Sequence, residues 1–278
     1  MRALSAVLLV LALAGCGAGR FPEGSTMERI HDRGVLTVGV KFDQPGFAQK
    51  DPVTGRIVGF DAEFARMLAR DLTGSEHNIR FVESISKNRE KFLKEGVVDL
   101  VIATYSITAE RSRVVGFAGP YYFASLGIMK RKDDSRLGSW KDLAGRRVCT
   151  VIGSTSAKRL RAVVPTARLV LVDAYGQCIE PLLDGRIDAV STDDAILLGL
   201  LSRRPGAFAL LKDSLASERY GIGIKHGDTG FQRYLNRFLA AALRDGSWER
   251  TYRETIGRLE ESLGDTGRDA ARKPPPPV

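Results

Sequence analysis

One arginine follows a series of hydroxyl-bearing residues in the stretch ATYSITAERSR. Thr104, Ser106 and Thr108 precede Arg111 directly after an apolar run. A guanidinium binds both oxygens of a carboxylate, and nearby hydroxyls satisfy the remaining lone pairs. The spacing therefore predicts a carboxylate-binding site at Arg111. An ordinary solvated arginine at the start of a helix is the alternative.

A second candidate anion site lies in the stretch CTVIGSTSAKR. Gly153 ends a predicted strand, and a predicted helix begins near Ser154 and Thr155. Free N–H groups at a helix N-terminus attract anions, and a small residue lets the anion approach. Simple N-capping by one of the two hydroxyls is the alternative.

Three further charges stand at predicted strand ends or helix starts. Asp193 follows an apolar strand and is free to hold a cation if its neighbour Asp194 caps the next helix. Lys41 directly follows the apolar run VLTVGV, and Arg89 lies near a helix start in SISKNREKFL. An α-amino acid needs one anion receptor and one cation receptor, and an acidic side chain needs another cation. Lys41 taken alone is more typical of a solvated strand end.

Short apolar segments alternate with amphipathic ones between about residues 26 and 257, which predicts an α/β architecture with largely parallel sheets. The predicted strands are Val35–Val40, Asn78–Val82, Leu100–Ala103, Leu126–Lys130, Arg147–Val151, Arg168–Val172, Ala189–Thr192 and Gly221–Lys225. The predicted helices are Asp61–Leu72, Lys87–Lys94, Ser156–Val163, Gly176–Leu183, Ala195–Leu201, Thr229–Arg244 and Trp248–Leu259.

Two stretches share one plan, FLKEGVVDLVIATY and PLLDGRIDAVSTDD. In each, a helix ends at a glycine, Gly96 or Gly185, and an apolar strand then leads to polar residues. Ligands of open α/β sheets bind outside the carboxyl ends of the strands. The repeated plan predicts two lobes with a binding cleft between them.

Bulk composition excludes several functions. The net charge is +9, but the 42 Lys and Arg residues are scattered and form no known nucleic-acid module. A basic protein beside an anionic membrane surface is the simpler interpretation. The three histidines are isolated, and neither a metal-ligand cluster nor a glycine-rich phosphate loop is present. We therefore expect no catalytic residues, no metal and no cofactor.

The two ends of the chain differ from its body. One arginine precedes about a dozen apolar residues, as in a secretory signal. The following sequence LAGC resembles the lipobox of bacterial lipoproteins, which implies a signal peptide over residues 1–15, lipid on Cys16 and a tether over residues 16–25. A secretory signal with an incidental cysteine is the alternative. The proline-rich segment 264–278 has little to bury and is predicted to be disordered.

The other two cysteines, Cys149 and Cys178, lie in the part of the chain predicted to be exported. Because that compartment permits oxidation, they are predicted to form one disulfide, which stabilises by about 3–4 kcal/mol in the chain-entropy model. Two free buried thiols are the alternative.

Several motifs together resemble the bacterial extracellular solute-binding proteins of family 3, the polar amino-acid receptors of ABC importers. The segment GFDAEFARMLARDL closely matches the family signature, with Ala62 where a larger aliphatic residue is usual. The segments SITAER, FAGPYY, DLAGRRVCTVIGSTS and GRIDAVSTDD follow in the family order. The resemblance covers about residues 26–257 and is greatest to glutamate/glutamine-type lipoprotein receptors.

This resemblance implies a periplasmic-binding-protein-like fold of type II, with two α/β lobes and the ligand in the cleft. Lobe 1 is expected over residues 26–123 plus 217–257, and lobe 2 over residues 124–216. Two crossing segments, Phe123–Gly127 and Ser217–Gly221, are expected to form the hinge.

The family pattern also implies roles for site residues. Arg111 would bind the ligand α-carboxylate together with backbone amides near Ser154 and Thr155. Asp193 would hold the α-ammonium. The Thr104 carbonyl and the Ser106 hydroxyl would complete that contact.

Comparison with family members that bind other amino acids indicates which residues would determine selectivity. Members that bind basic side chains have an aspartate where Lys41 stands, and acidic-amino-acid binders share a segment like SKNR, which ends at Arg89. The resemblance implies that both cations face an acidic or amide side chain, with Tyr175 as a weaker candidate.

The implied protein is a monomeric receptor on the outer face of the cell membrane that binds glutamate or aspartate, with glutamine and asparagine as further candidates. Its partners would be ABC permease subunits, with no nucleic acid. Two alternatives are a sensor that signals through a membrane partner and a cyclohexadienyl-dehydratase-like enzyme on the same fold.

Overall fold

The computed structural model describes residues 20–264. The predicted signal peptide, Cys16 with the first part of the tether, and the proline-rich tail after residue 264 lie outside the described residues. No helix in the described part is long and apolar enough to cross a membrane.

Helices and strands alternate along the middle of the described chain, with strands following one another near its start and helices following one another at its end. The helices are α1 (Thr26–Arg33), α2 (Phe60–Thr73), α3 (Arg89–Glu95), α4 (Thr155–Val163), α5 (Ile179–Leu183), α6 (Asp194–Leu201), α7 (Thr229–Arg244), α8 (Ser247–Tyr252) and α9 (Arg258–Leu263). The strands are β1 (Leu36–Val40), β2 (Asp43–Gln44), β3 (Ala48–Lys50), β4 (Ile57–Val58), β5 (Ile79–Glu83), β6 (Leu100–Val101), β7 (Val115–Arg131), β8 (Arg147–Val151), β9 (Arg168–Val172), β10 (Ala189–Asp193), β11 (Phe208–Leu210) and β12 (Ala216–Lys225).

The main sheet has nine strands in the order β5-β1-β6-β12-β7-β10-β8-β9, and β11 pairs with β7. The β5-β1-β6 and β10-β8-β9 groups are parallel, but β12 and β7 pair antiparallel in the middle. The prediction of largely parallel sheets therefore holds for the two flanks and is wrong for the centre. The carboxyl ends of the parallel strands carry the site residues.

Both predicted crossing segments lie inside the two central strands. Ser217 is paired with Ser125 and Arg219 with Phe123, and the register shifts between Tyr220 and Ile222. These two strands connect the two parallel groups, as a type II binding-protein fold requires. The lobe boundaries themselves stay a prediction.

All predicted strands and helices overlap observed ones, but some elements were missed. The small sheet β2-β3-β4 consists of strands of two or three residues, too short to produce an alternating pattern. Helix α1 and strand β11 were also missed. The single helix predicted over Trp248–Leu259 is instead α8, a π-helical turn at Arg253–Gly257, and α9.

The largest core cluster contains a group of buried aromatic rings that pack against one another. Phe47 packs edge-on against Tyr122 and Tyr220, and Phe60 packs against Trp248. The same cluster continues into the second parallel group and includes the two cysteines. Cys149 and Cys178 form a disulfide with their Cα atoms 5.9 Å apart, so the predicted bond is confirmed.

Candidate functional site

A small polar cavity lies where the ends of the two parallel groups meet. Seven residues predicted for the site line it: Arg89, Thr104, Ser106, Ser154, Thr155, Tyr175 and Asp193. The sequence missed five other lining residues: Gln44, Ser86, Ser156, Thr192 and Ile196. Lys41 and Arg111 lie next to this lining.

Asp193 ends β10 and provides a carboxyl group that is only partly hydrogen-bonded. Its side chain is 4% exposed. Its Oδ2 atom accepts a 2.5 Å hydrogen bond from the Tyr220 hydroxyl, but Oδ1 has no partner in the described part of the chain. Burial, and then the nearby Glu218 carboxylate, raise the pKa of Asp193 to about 8. A cation at Oδ1 would stabilise the ionised form.

Arg89 is the first residue of α3 and brings a buried guanidinium to the cavity. Its Nη1 atom donates to the Ala103 carbonyl at 3.0 Å, and the group lies 4.1 Å from the Tyr105 ring centroid. The Nε atom is buried with no partner among the described residues. Burial, and then Arg111, lower the pKa of Arg89 to about 10. An unpaired buried donor of this kind favours an anionic or carbonyl acceptor.

Lys41 lies one layer behind the cavity lining. Its ammonium donates to the Ser86 hydroxyl oxygen at 3.0 Å, and Ser86 itself lines the cavity. Burial, and then the Arg89 guanidinium, lower the pKa of Lys41 to about 7. Lys41 is not part of the cavity lining and reaches it through Ser86, so a direct contact between Lys41 and the ligand stays a prediction.

Arg111 lies beside the cavity and joins its two sides. Its Nη1 atom donates to the Ser106 carbonyl at 2.8 Å, and its Nη2 atom donates to the Gly153 carbonyl at 2.9 Å. Its Nε atom is 3.5 Å from a carboxylate oxygen of Glu90. Since a guanidinium has five N–H donors, others remain for a ligand. The solvated-arginine alternative is wrong, because Arg111 is only 9% exposed.

Thr104 has a left-handed backbone, with φ 45°, which is unusual for a residue other than glycine. Two buried side chains hold it there. Asp61 accepts from the Thr104 N–H at 3.0 Å and from the Tyr121 hydroxyl at 2.8 Å. Gln44 accepts from the Thr104 hydroxyl at 3.0 Å. Asp61 is the aspartate of the segment GFDAEF, and its place in the family signature was the signal in the sequence that could have identified it.

The second parallel group contributes mainly hydroxyls. Ser154 caps α4 by accepting from the Ala157 N–H at 3.0 Å, so the capping alternative describes its side chain. The Thr155 and Ser106 hydroxyl oxygens are 3.4 Å apart and close the cavity from both sides. The Tyr175 hydroxyl has hydrogen-bonding neighbours on this wall, and burial raises the pKa of Tyr175.

Further contacts keep the two sides together. Lys87 forms an ion pair with Asp173 at 2.6 Å, and Lys158 pairs with Glu110. The Gly176 N–H donates to Asp43 at 3.2 Å. Gly153 has a left-handed φ of 78°, and a Cβ atom there would come within 3.1 Å of the Lys87 Cα, so glycine favours this close approach. The structure therefore shows a closed cleft.

The chain matches the family model of the bacterial extracellular solute-binding proteins, family 3, over residues 36–258. It belongs to that family. The glutamate-binding protein GluB of Corynebacterium efficiens is 34% identical over 263 residues, which cover 91% of this chain and 88% of that protein. The glutamine-binding protein of Geobacillus stearothermophilus is 37% identical over 236 residues, covering 80% and 89%.

A solved structure is also similar to this solute-binding protein. It is an ancestral amino acid-binding protein, AncCDT-1, described as a precursor of cyclohexadienyl dehydratase. The two structures align with a TM-score of 0.77 at 28% identity, and the match covers 84% of this chain and all of the other. The predicted type II fold and family are thus confirmed.

Proposed function

We propose that this solute-binding protein holds an α-amino acid with an acidic or amide side chain in the closed cavity and delivers it to an ABC permease. Glutamate and aspartate are the first candidates, with glutamine and asparagine next. The observation that carries the proposal is a pair of buried polar atoms without partners among the described residues, Asp193 Oδ1 and Arg89 Nε, on opposite strand groups of one cavity. The names of the two curated relatives, for glutamate and glutamine, support the same ligand class.

The proposed contacts bind the α-ammonium of the ligand to acceptors and its α-carboxylate to donors. Asp193 Oδ1 binds the α-ammonium, helped by the Ser106 hydroxyl and the Thr104 carbonyl. Arg111 and the α4 N-terminus at Thr155 bind the α-carboxylate. Each ligand charge is then paired when it is buried, which makes burial of a zwitterion tolerable.

The side chain of the ligand meets a different set of donors. Arg89 Nε and the Ser86 hydroxyl are available, and Lys41 supports Ser86 because its ammonium donates to the serine oxygen. That donation leaves the Ser86 proton free to point elsewhere. Both groups favour an acceptor, which a carboxylate or an amide carbonyl supplies.

Closure is the proposed signal to the permease. Lobe 1 (26–123 plus 217–257) and lobe 2 (124–216) would move about the central strands, and the ligand would favour the closed form because both lobes contact it. Lipid on Cys16 would keep the monomer at the outer face of the membrane. A sensor would use the same closure, so a neighbouring permease or ATPase gene is what separates import from signalling.

Titration calorimetry against the twenty common amino acids tests the ligand class. We expect strong heats for glutamate or aspartate and none for lysine or histidine. Tight binding of lysine or histidine without binding of glutamate would overturn the assignment.

One observation favours a second candidate, an enzyme similar to cyclohexadienyl dehydratase. A carboxyl with a pKa of about 8, such as Asp193, stays largely protonated near neutral pH and could serve as a general acid. We propose binding without catalysis, because the same proton is displaced once an ammonium occupies Oδ1. Incubation with a cyclohexadienyl substrate, followed by chromatography, should show no product.

A further inference from the structure

A row of arginines lies on the outer face of α7. Arg233, Arg237 and Arg244 are all exposed, and spacings of four and seven residues put them on one side of the helix. The sixteen residues of this helix include no acidic residue. The opposite side packs into the core through Phe231, Leu235 and Leu239. The helix is therefore attached to the protein on one face and strongly basic on the other.

The basic row borders a surface groove against the end of α2. Arg20, Arg70 and Arg237 line one part of the groove, about 510 Å³, and Arg20, Arg233 and Arg237 line an adjoining part of about 350 Å³. Asp71 and Asp245 also line the first part. Arg20 pairs with Asp71 at 3.4 Å, whereas Arg233 and Arg237 form no ion pair with another described residue. Arginine remains in excess, so the groove favours an anion.

The position of the groove along the chain identifies the anion. Arg20 lies in both parts of the groove, and Cys16 precedes it by only four residues. Four extended residues span at most about 14 Å. If Cys16 carries lipid, as proposed above, the groove cannot lie far from the headgroups of the membrane.

We propose that the groove between α7 and the end of α2 binds the phosphate groups of anionic phospholipids, so that this face of the receptor rests on the membrane. The guanidinium fork matches a phosphate in two-point geometry. Surface charges act over a Debye length of about 8 Å at physiological salt, so the groove must lie close to the headgroups, and a short tether favours this position. The inference rests on the lipid attachment in the proposed function, but not on the identity of the amino acid.

Vesicle flotation of residues 17–278 tests the groove without the lipid anchor. This chain retains all described residues and their contacts, which lie within 20–264. We expect binding to vesicles of phosphatidylcholine mixed with phosphatidylglycerol, weak binding to phosphatidylcholine alone, and loss of binding at high salt. Equal binding to both vesicle types, or none to either, would overturn the proposal.

A charge-matched pair of double variants locates the contact. Arg233→Gln with Arg237→Gln should weaken binding about tenfold or more, given about 1 kcal/mol for each basic residue near an anionic surface. Lys132→Gln with Arg168→Gln removes the same charge from other exposed positions and should leave binding unchanged. Equal losses for the two double variants would show a nonspecific charge effect and contradict the groove. Calorimetry with glutamate on all three proteins reports the amino-acid site separately and should be unaffected.

Discussion

Two units with the same plan deliver different groups to the cavity, a backbone carbonyl from Thr104 and a side-chain carboxyl from Asp193. In each, a helix ends at a left-handed glycine, Gly96 with φ 69° or Gly185 with φ 78°, and a strand then leads to the site. The first unit ends in Thr104, whose own backbone is left-handed. The second ends in Asp193, whose backbone is extended, with φ −69° and ψ 142°. The shared plan therefore sets where the strand ends meet, and the last residue sets the chemistry.

The two units also differ in whether the nearby carboxyl group, Asp61 or Asp193, already has all its hydrogen-bond partners within the protein. Near the first unit, both carboxylate oxygens of Asp61 accept hydrogen bonds from the protein, which fixes the Thr104 backbone. In the second unit, one oxygen of Asp193 is left without a partner in the described chain. A buried unpaired carboxylate oxygen is costly to stability and marks a functional site. Asp61 therefore shapes the site by fixing Thr104, and Asp193 is the residue proposed to bind the ligand ammonium.

The largest expected effect comes from removing the unpaired acid. Asp193→Ala should weaken glutamate binding by about 2–5 kcal/mol, since the ligand ammonium would be buried without its partner. The free energy of unfolding should change little, because removal of a desolvated carboxyl offsets the loss of the acceptor for the buried Tyr220 hydroxyl. Calorimetry and thermal unfolding measure the two effects. Asp188→Asn, which alters an acid paired with exposed Arg147, is the control and should bind normally. Normal binding by Asp193→Ala would place the ammonium elsewhere.

Removing the paired acid should act mainly on stability. Asp61→Ala leaves the Thr104 N–H and the Tyr121 hydroxyl buried without their acceptor, at a cost of about 1–3 kcal/mol. Chemical denaturation measures this loss, and affinity should fall as well because the Thr104 carbonyl is released. Thr104→Gly is the matched control, since glycine adopts the left-handed backbone without strain and should retain affinity better. An Asp61→Ala protein that is as stable as the parent would contradict the role of Asp61 in positioning Thr104.

The pH dependence of ligand binding tests the role of Asp193. Burial raises the pKa of Asp193 to about 8 in the empty closed cavity, and a bound ammonium would lower it. Binding should therefore release a proton at lower pH. Affinity should increase with pH and level off above about pH 8, changing by up to about tenfold per pH unit. Calorimetry in buffers with different ionisation heats counts the proton. No release near pH 7 would argue against Asp193 as the ammonium partner.

The smallest expected effect on affinity is that of Lys41→Met, since the lysine acts through Ser86. We expect a loss of about 1 kcal/mol, as for one hydrogen bond. The effect on stability has the opposite sign. The folded pKa of Lys41, about 7, lies below its ordinary value of 10.5, so its destabilisation is greatest below pH 7 and fades as pH rises toward 10.5. The variant should gain more stability near pH 6 than near pH 9. Loss of all glutamate binding would instead indicate direct contact.

The sequence predicted the strand ends well because their signals are local. A glycine stop followed by an apolar run and a polar residue correctly placed Thr104 and Asp193 at the cavity. The sequence could not place Lys41 or Arg111 relative to the lining, because long side chains turn toward partners that are distant in sequence. Arg111, for example, donates to the carbonyl of Gly153, which comes from the opposite strand group. The role of Asp61 was hidden for the same reason, since its two donors lie more than forty residues away.

A crystal structure of the protein with bound glutamate tests the central claim most directly. We predict the ligand ammonium within hydrogen-bonding distance of Asp193 Oδ1, and its side-chain carboxylate beside Arg89 Nε and Ser86. A ligand bound outside this cavity, or one whose ammonium contacts neither Asp193 nor Ser106, would contradict it.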